Sequence, residues 1–477
     1  MKKAIRSFSC ALALALTAGM FAACGEYKRP DSGNEVTKTD YTINFNLPAT
    51  TKAEIKVIIP DKETEKKIID AAIEGFNQKY PLITVTKNYL TIDSYNTTIQ
   101  RQSQAGSLAE VIWCNSTNYY YLVSNSIALN LDEFYEQGEA AGQFDYDADF
   151  TSDFRKSGTF DGVPYAVPRS IDSVVTFYNK DVLTKAGVDL NPETTVVKNG
   201  WTWEDFLSVC KQVRAYYVRE GKTNFYPLDA NLGWEAVSWP IIKSLGGDMI
   251  NEEGEFALTE EVAGKVYDFV QDLVENDIIP GAGEKNGTSF ESAPTPPSEE
   301  PSGGLLFQST TIDHYETMEN LKGKFDIVSF PLINGENASI GYGFAGYALN
   351  AAAVKDQTKL DAAAAFVNYL ISYDGQQKVA KDGGLTLPSG RTDLSAETPD
   401  ANWHGTYGSR FNVSAYTYGS EYKVTQDFFG YVNPTFSTKL ISAMNTYVNS
   451  YCIRESKDRA YTMFKGAVED VFNSVVQ

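Results

Sequence analysis

From about Ala53 onward, short apolar runs alternate with stretches whose apolar residues recur every three to four positions. Ile55-Lys56-Val57-Ile58-Ile59 reads as a buried strand that Pro60-Asp61 stops. Thr64 to Tyr80 carries helical spacing at Ile68, Ile69, Ala72, Ile73 and Phe76, and Pro81 ends that helix. Ile83-Thr84-Val85-Thr86 supplies the next strand, so the unit is βαβ, whose crossover is right-handed. The alternation continues: Tyr95 to Ala105 predicts a helix, Glu110 to Trp113 a strand and Tyr119 to Ser126 another helix. The pattern predicts an α/β fold. In parallel sheets the carboxyl ends of strands open a crevice that loops and helix N-termini line with free N–H groups. Pro60-Asp61-Lys62 and Cys114-Asn115-Ser116-Thr117 fall at such ends.

The amino-terminal pattern is different. Lys2, Lys3 and Arg6 precede Ala11 to Leu16, an apolar core shorter than the roughly 20 residues a bilayer span needs. Phe21-Ala22-Ala23-Cys24-Gly25 follows and resembles a bacterial lipobox, with Phe21 where an aliphatic residue is usual. Residues 1–23 therefore read as a lipoprotein signal peptide and Cys24 as the acylated anchor, with ordinary secretion as the alternative. Residues 24–52, polar and rich in Thr, Asp, Asn and Lys, read as a flexible tether. A second compositional break lies at 281–304, where Pro294, Pro296, Pro297 and Pro301 stand among Ser, Glu and Gly and predict a disordered surface loop. Thr202, followed three residues later by Asp205, predicts a capped helix start.

Composition narrows the function classes. With 477 residues and 43% hydrophobic content the chain can bury the cores of two or three compact units. The formal charge of −21, nearer −24 once the three cations of the leader are removed, argues against nucleic acid as a partner. Cys114, Cys210 and Cys452 remain after processing, an odd number without metal-ligand spacing, and are expected to be buried thiols. His314 and His404 show no paired zinc spacing, and neither a Gly-x-Ser-x-Gly elbow nor a phosphate-cradling loop is present. A non-catalytic binding protein without a cofactor is expected. The competing classes are a secreted glycan-active enzyme, which 62 acids always permit on paper, and a surface adhesin.

Several local patterns, in order, resemble the extracellular solute-binding proteins (family 1) of sugar ABC importers, the group that includes maltose-binding protein. They are Lys79-Tyr80-Pro81, Gly162-Val163-Pro164-Tyr165, Tyr178-Asn179-Lys180-Asp181, Trp201-Thr202-Trp203-Glu204 and Trp239-Pro240 before Gly246-Gly247. Phe325-Asp326-Ile327-Val328 with Phe330-Pro331, Gly341-Tyr342-Gly343-Phe344, and Ala362 to Leu370 ahead of Asp374-Gly375-Gln376-Gln377 continue the series. The resemblance covers about Ala53 to Leu394. It implies a two-lobe periplasmic-binding-protein-like fold that closes on its ligand through hinge crossings near 168–173, 339–345 and Leu387, with a helical C-terminal part. The N-terminal lobe would combine 53–169 with 346–386, and the C-terminal lobe 172–342 with 388–477.

The resemblance also implies a monomeric receptor outside the cytoplasm, tethered to the cell membrane through Cys24. It would capture a soluble carbohydrate, such as an oligosaccharide, and pass it to ABC permease subunits. A polyamine or a phosphorylated solute is the alternative ligand. A sugar cleft needs flat aromatic faces and planar hydrogen-bonding groups. Trp113 stands where the family contacts sugar, or else in the core, and Asn115 and Ser116 follow it. Asp172 can accept two hydroxyls or cap the hinge, and Arg169 can pair with it or reach the ligand. Trp234 is the favoured stacking platform. Gln308, Ser309 and Thr311 follow a strand; Gly341, Tyr342 and Gly343 would bring bare backbone to the cleft. Arg391 and Asp61 complete the candidates, the first with a solvent role and the second with a helix-capping role as alternatives.

Overall fold

The computed structural model describes residues 40–116, 118–160, 162–251, 256–287, 289–291, 303–309, 312–335, 338–384, 387–394, 407–419, 422–424 and 434–473. It opens on the expected βαβ unit: β1 (Ala53–Pro60), α1 (Glu63–Lys79) and β2 (Ile83–Leu90). β1 runs parallel to β2 and, on its other side, to β3 (Val111–Asn115). A two-strand hairpin, β4 (Thr159–Phe160) and β5 (Val163–Pro164), turns at Gly162, whose φ of 80° favours glycine. β6 (Val167–Ser173) then leads through Val174 into β7 (Val175–Asn179). The remaining strands are β8 (Leu228–Asp229), β9 (Leu305–Gln308), β10 (Phe325–Ser329), β11 (Ile340–Leu349) and β12 (Lys423–Val424).

These strands form two principal sheets. The first has the order β12-β11-β3-β1-β2, with β6 also paired to β11; the second has the order β10-β7-β9-β8. Helices that matter below are α2 (Ser152–Lys156), α3 (Trp203–Arg219), α4 (Glu235–Ser244), α5 (Glu260–Glu275), α6 (Gln357–Ile371), α7 (Pro434–Thr446) and α8 (Lys457–Asn473). The stripe Ile68, Ile69, Ala72 and Phe76 of α1 packs with Ile55, Val57 and Ile58 of β1 and with Ala362 and Phe366 of α6. A second core gathers Phe206 and Val213 of α3, Val266 and Leu273 of α5, Met444 of α7 and Phe464 of α8. Thr202 and Asp205 form a full capping box at the start of α3, as their spacing predicts.

The two sheets meet where β6 runs antiparallel to β11, with Ser173 opposite Tyr342 and Asp172 opposite Gly343. Residues 388–389 run alongside: the Ile171 N–H donates to the Pro388 carbonyl at 3.2 Å, and Ser170 bridges Ser389. The three expected crossings thus lie side by side in a two-lobe α/β architecture.

Three expectations need correction. Residues 41–47 do not behave as tether: Ile43 and Phe45 are buried in the first core, and the Ile43 and Asn44 N–H groups donate to Gln137 Oε1 and Asp361 Oδ1 at 2.7 and 2.9 Å. The reason is their period-two pattern, Tyr41, Ile43, Phe45 and Leu47, which the polar residues between them mask in any average. The described part of the 281–304 segment is anchored rather than loose. Phe290 is fully buried and its N–H donates to Asp229 Oδ2 at 2.7 Å; residues 288 and 292–302 lie outside the described residues. Residues 388–394, expected with the second lobe, dock on the first: Arg391 bridges Phe150, and the Thr392 hydroxyl donates to the Ala148 carbonyl at 2.7 Å. Cys24, the signal peptide and the tether before residue 40 lie outside the described residues, and among the described ones no helix is long and apolar enough to cross a membrane. Cys114, Cys210 and Cys452 are buried free thiols, as expected.

Candidate functional site

A cavity of about 310 Å³ lies where the crossings meet, within the range of small-molecule sites. The first lobe supplies Lys62 from the end of β1 and Trp113, Asn115 and Ser116 from the end of β3. The second supplies Trp234, Glu235 and Ala236 from the start of α4, and Ser309 just beyond β9. Asp172, Val174, Tyr342, Gly343, Phe344 and Ala345 line it from the crossing strands.

Eight of the residues singled out in the sequence therefore come together: Trp113, Asn115, Ser116, Asp172, Trp234, Ser309, Tyr342 and Gly343. Trp113 is buried edge-on against Tyr95, with ring centroids 5.7 Å apart, and its buried Nε1–H has no hydrogen-bond partner among the described residues. The Ser116 hydroxyl accepts the Phe344 N–H at 2.8 Å, tying the β3 loop to β11. Asn115 and Asn118 exchange hydrogen bonds, the Asn115 N–H donating to Asn118 Oδ1 at 2.8 Å and the Asn118 N–H to Asn115 Oδ1 at 3.1 Å. Gly343 is required for this approach, because a Cβ there would stand 2.4 Å from Ser116 Oγ and 3.1 Å from Asp172 Oδ1.

Two carboxylates dominate the electrostatics. Burial pushes Asp172 up from 3.8 to about 6; its own backbone N–H, the Ser309 side chain, Lys423 and Arg169 each pull the other way. Its Oδ1 is buried without a hydrogen-bond partner among the described residues. Burial also raises Glu235, which its own backbone N–H partly offsets at the first turn of α4. An open acceptor oxygen in the same cavity lining as two indole rings suits a solute that presents both hydroxyl donors and apolar faces.

The other candidates stand elsewhere. Arg169 is buried under the first sheet, where its fork binds Glu65 at 2.6 and 3.1 Å, so it is committed to the fold. Arg391 is likewise spent: it pairs with Asp393 at 2.8 Å and donates to the Ile371 carbonyl at 3.3 Å over the Phe150 ring. Asp61 points outward and pairs with Lys66, while Lys62 takes the N-cap position of α1. The Gln308 side chain turns back to accept the Ser309 N–H at 2.9 Å. Gly341 serves packing, since a Cβ would meet the Ala236 carbonyl at 2.1 Å and force α4 away from β11. Thr311 lies outside the described residues.

Sequence reasoning placed Lys62 at a strand end facing the crevice without singling it out as a site residue, and missed Val174, Glu235, Ala236, Phe344 and Ala345. Lys62 and Glu235 each adjoin a named candidate, so the place was legible but not which neighbour faces inward. Among the described residues no group of three or more His, Cys, Asp or Glu side chains is placed to hold a metal. His314 is exposed, 3.6 Å from Glu291.

Residues 60–377 match the family described as bacterial extracellular solute-binding protein. A curated relative, the arabinooligosaccharide-binding protein of Halalkalibacterium halodurans, is 29% identical over 115 residues, which span 24% of this chain and 23% of that protein. Among solved structures, an ABC substrate-binding protein of Listeria monocytogenes in complex with cycloalternan superposes with a TM-score of 0.65 at 18% identity, covering 89% of this chain and 99% of its own. The GacH receptor of Streptomyces glaucescens, solved unliganded and with acarbose, gives 0.65 at 19% identity over 88% and 99%. The cyclic α-maltosyl-1,6-maltose binding protein of Arthrobacter globiformis gives 0.65 at 17% identity over 89% and 100%. The fold of these two-lobe binding proteins is shared along nearly the whole described chain.

Proposed function

Since this chain belongs to the family of bacterial extracellular solute-binding proteins, we propose that it captures a carbohydrate, an oligosaccharide in particular, between its lobes and delivers it to an ABC importer. The observation that carries this reading is that Trp113 and Trp234 line one cavity together with Asp172, whose Oδ1 has no hydrogen-bond partner among the described residues. Indole faces take the C–H surfaces of sugar rings, and the carboxylate accepts hydroxyl hydrogen bonds. The oligosaccharide ligands named for the relatives support the class of solute. Ligand stabilises the closed arrangement because only there do both walls touch it. Cys24 anchors the chain to the membrane, so that the captured solute stays beside its permease.

Thermal-shift screening of the fragment from residue 40 onward tests the proposal, with arabino- and malto-oligosaccharides set against polyamines and glycerol phosphates. A specific ligand at 100 times its dissociation constant adds about 2.7 kcal/mol of stability, a readily measured shift. Stabilisation by at least one oligosaccharide is expected. Stabilisation only by a polyamine or a phosphate would overturn the ligand class. Release of reducing sugar would make Asp172 and Glu235 an acid-base pair instead.

A further inference from the structure

Where the first wall of the cavity begins, the ladder between β1 and β3 stops. Its register covers Val57 opposite Val111 and Ile58 opposite Ile112, and the cavity residues Lys62 and Trp113 stand beyond that last pair. The side chain that meets both strands at this place belongs to Tyr95, the first residue of the helix Tyr95–Gln104 and not itself a lining residue. Tyr95 is buried, and its hydroxyl donates to the Trp113 carbonyl at 2.9 Å and reaches the Ile58 carbonyl at 3.2 Å. One hydroxyl thus bridges the two backbones just where their own pairing ends.

The same side chain meets Trp113 a second time, through its ring. The two rings stand edge to face, with an interplanar angle of 82°, the arrangement their quadrupoles favour. No hydrogen bond among the described residues fixes the indole, because its buried Nε1–H has no partner, so its orientation rests on packing. A stacking wall serves a sugar ring best when its plane is held before the ligand arrives, since any disorder left in it must be removed at the expense of affinity. Tyr95 holds both parts of Trp113, the backbone through its hydroxyl and the indole through its ring.

We propose that Tyr95 is a positioning residue for ligand capture: without touching the ligand, it sets the place of the Trp113 backbone and the plane of the Trp113 indole. The inference rests on the reading of the cavity as a ligand site, and it adds a residue that stands behind the wall. Because the hydroxyl also reaches Ile58, it couples the strand that leads to Lys62 with the strand that carries Trp113, Asn115 and Ser116. The first lobe then presents these strand ends to the ligand as one rigid unit.

The test labels the protein with 5-fluorotryptophan, assigns the Trp113 resonance by its absence in W113F, and measures arabinotriose and maltotriose affinities alongside. Y95F keeps the ring and removes only the hydroxyl. It is expected to move the Trp113 resonance of the ligand-free protein and to weaken sugar binding about threefold to tenfold, the effect of one buried hydrogen bond. Y95L removes the ring as well, and should broaden the resonance and weaken binding about 10- to 100-fold. Y447F is the control: it deletes an equally buried hydroxyl, which donates to the Ala263 carbonyl at 2.7 Å in the second core. It should lower the unfolding midpoint as Y95F does while leaving the Trp113 resonance and the affinity at their wild-type values. An unmoved resonance or an unchanged affinity in Y95F overturns the inference, and so does an equal loss of affinity in Y447F, which would make lost stability the cause. Should Y95L not fold, Y95F decides alone. If neither sugar binds wild type, the carbohydrate reading is at fault, and the ligand-free resonance still decides on Tyr95.

Discussion

Strand β6 carries a buried and a half-buried charge three residues apart and uses them in opposite ways. Arg169 lies in a buried site where both arms of its fork meet Glu65 of α1, so its charge is spent within the molecule. Asp172 has an oxygen that is just as hidden but meets nothing among the described residues, and its ionisation is held back by burial. Burying a charge costs free energy in both places. At Arg169 the fold supplies a countercharge; at Asp172 it supplies hydrogen bonds from Ser309 and the backbone but leaves Oδ1 open. Arg391, paired with Asp393 on the first lobe, belongs with the first kind. What separates a structural charge from a functional one here is a buried countercharge in direct contact, since Arg169 Nε and Asp172 Oδ1 alike lack a hydrogen-bond partner among the described residues.

The largest effect that can test this contrast is on stability. R169M leaves Glu65 buried without its cation and should cost about 3–5 kcal/mol, lowering the unfolding midpoint by roughly 10 °C. The double variant R169M/E65L should regain most of that loss, because an apolar pair removes both desolvation costs. Denaturant and thermal unfolding of the ligand-free fragment measure both. If R169M weakened ligand binding while leaving stability intact, the arginine would be functional after all.

D172N should move the two properties apart. A carboxyl whose folded value is about 6 against 3.8 unfolded binds protons more tightly in the folded state, so its ionised form weighs against folding above pH 6. That burden lifts as pH falls from 6 towards 3.8. Asparagine mimics the protonated form, so the variant should gain about 1–3 kcal/mol at pH 7, less what solvent access to the hinge already offsets. Ligand affinity should fall about 10- to 100-fold for loss of a charge-assisted acceptor. Calorimetric titration and thermal melts on the same samples check both signs. A variant that loses stability and affinity together would place Asp172 with Arg169.

Such distinctions show how far the sequence is legible. The βαβ start was readable to within a few residues, because β1, α1 and β2 each carry one clean period and bury one face. The second sheet was legible only in part: the strand before Gln308 could be read, but β8 has two residues, too few positions for a local pattern to register. Strand ends pointed to the right region of the cavity, since topology fixes where parallel strands open. They could not say whether Asp61 or Lys62 faces it. Nor could spacing reveal that Arg169 is already paired: Glu65 stands 104 residues away, and only the tertiary fold brings the two together.

Asp61 offers the smallest expected effect and the sharpest control. It adjoins the cavity residue Lys62, yet its carboxylate is solvent-exposed and pairs with Lys66 on the outer side of α1. Exposed ion pairs of this kind contribute little, because water and salt screen them and two long side chains must be ordered to make them. D61A should therefore leave ligand affinity within about a factor of two and the unfolding midpoint within about one degree. Titration at low and moderate salt would show whether even that remainder is electrostatic. A tenfold loss of affinity would mean that the carboxylate swings inward when ligand binds. The end of β1 would then hold an acid whose partner changes from lysine to ligand, a third way of using charge that neither Arg169 nor Asp172 exemplifies.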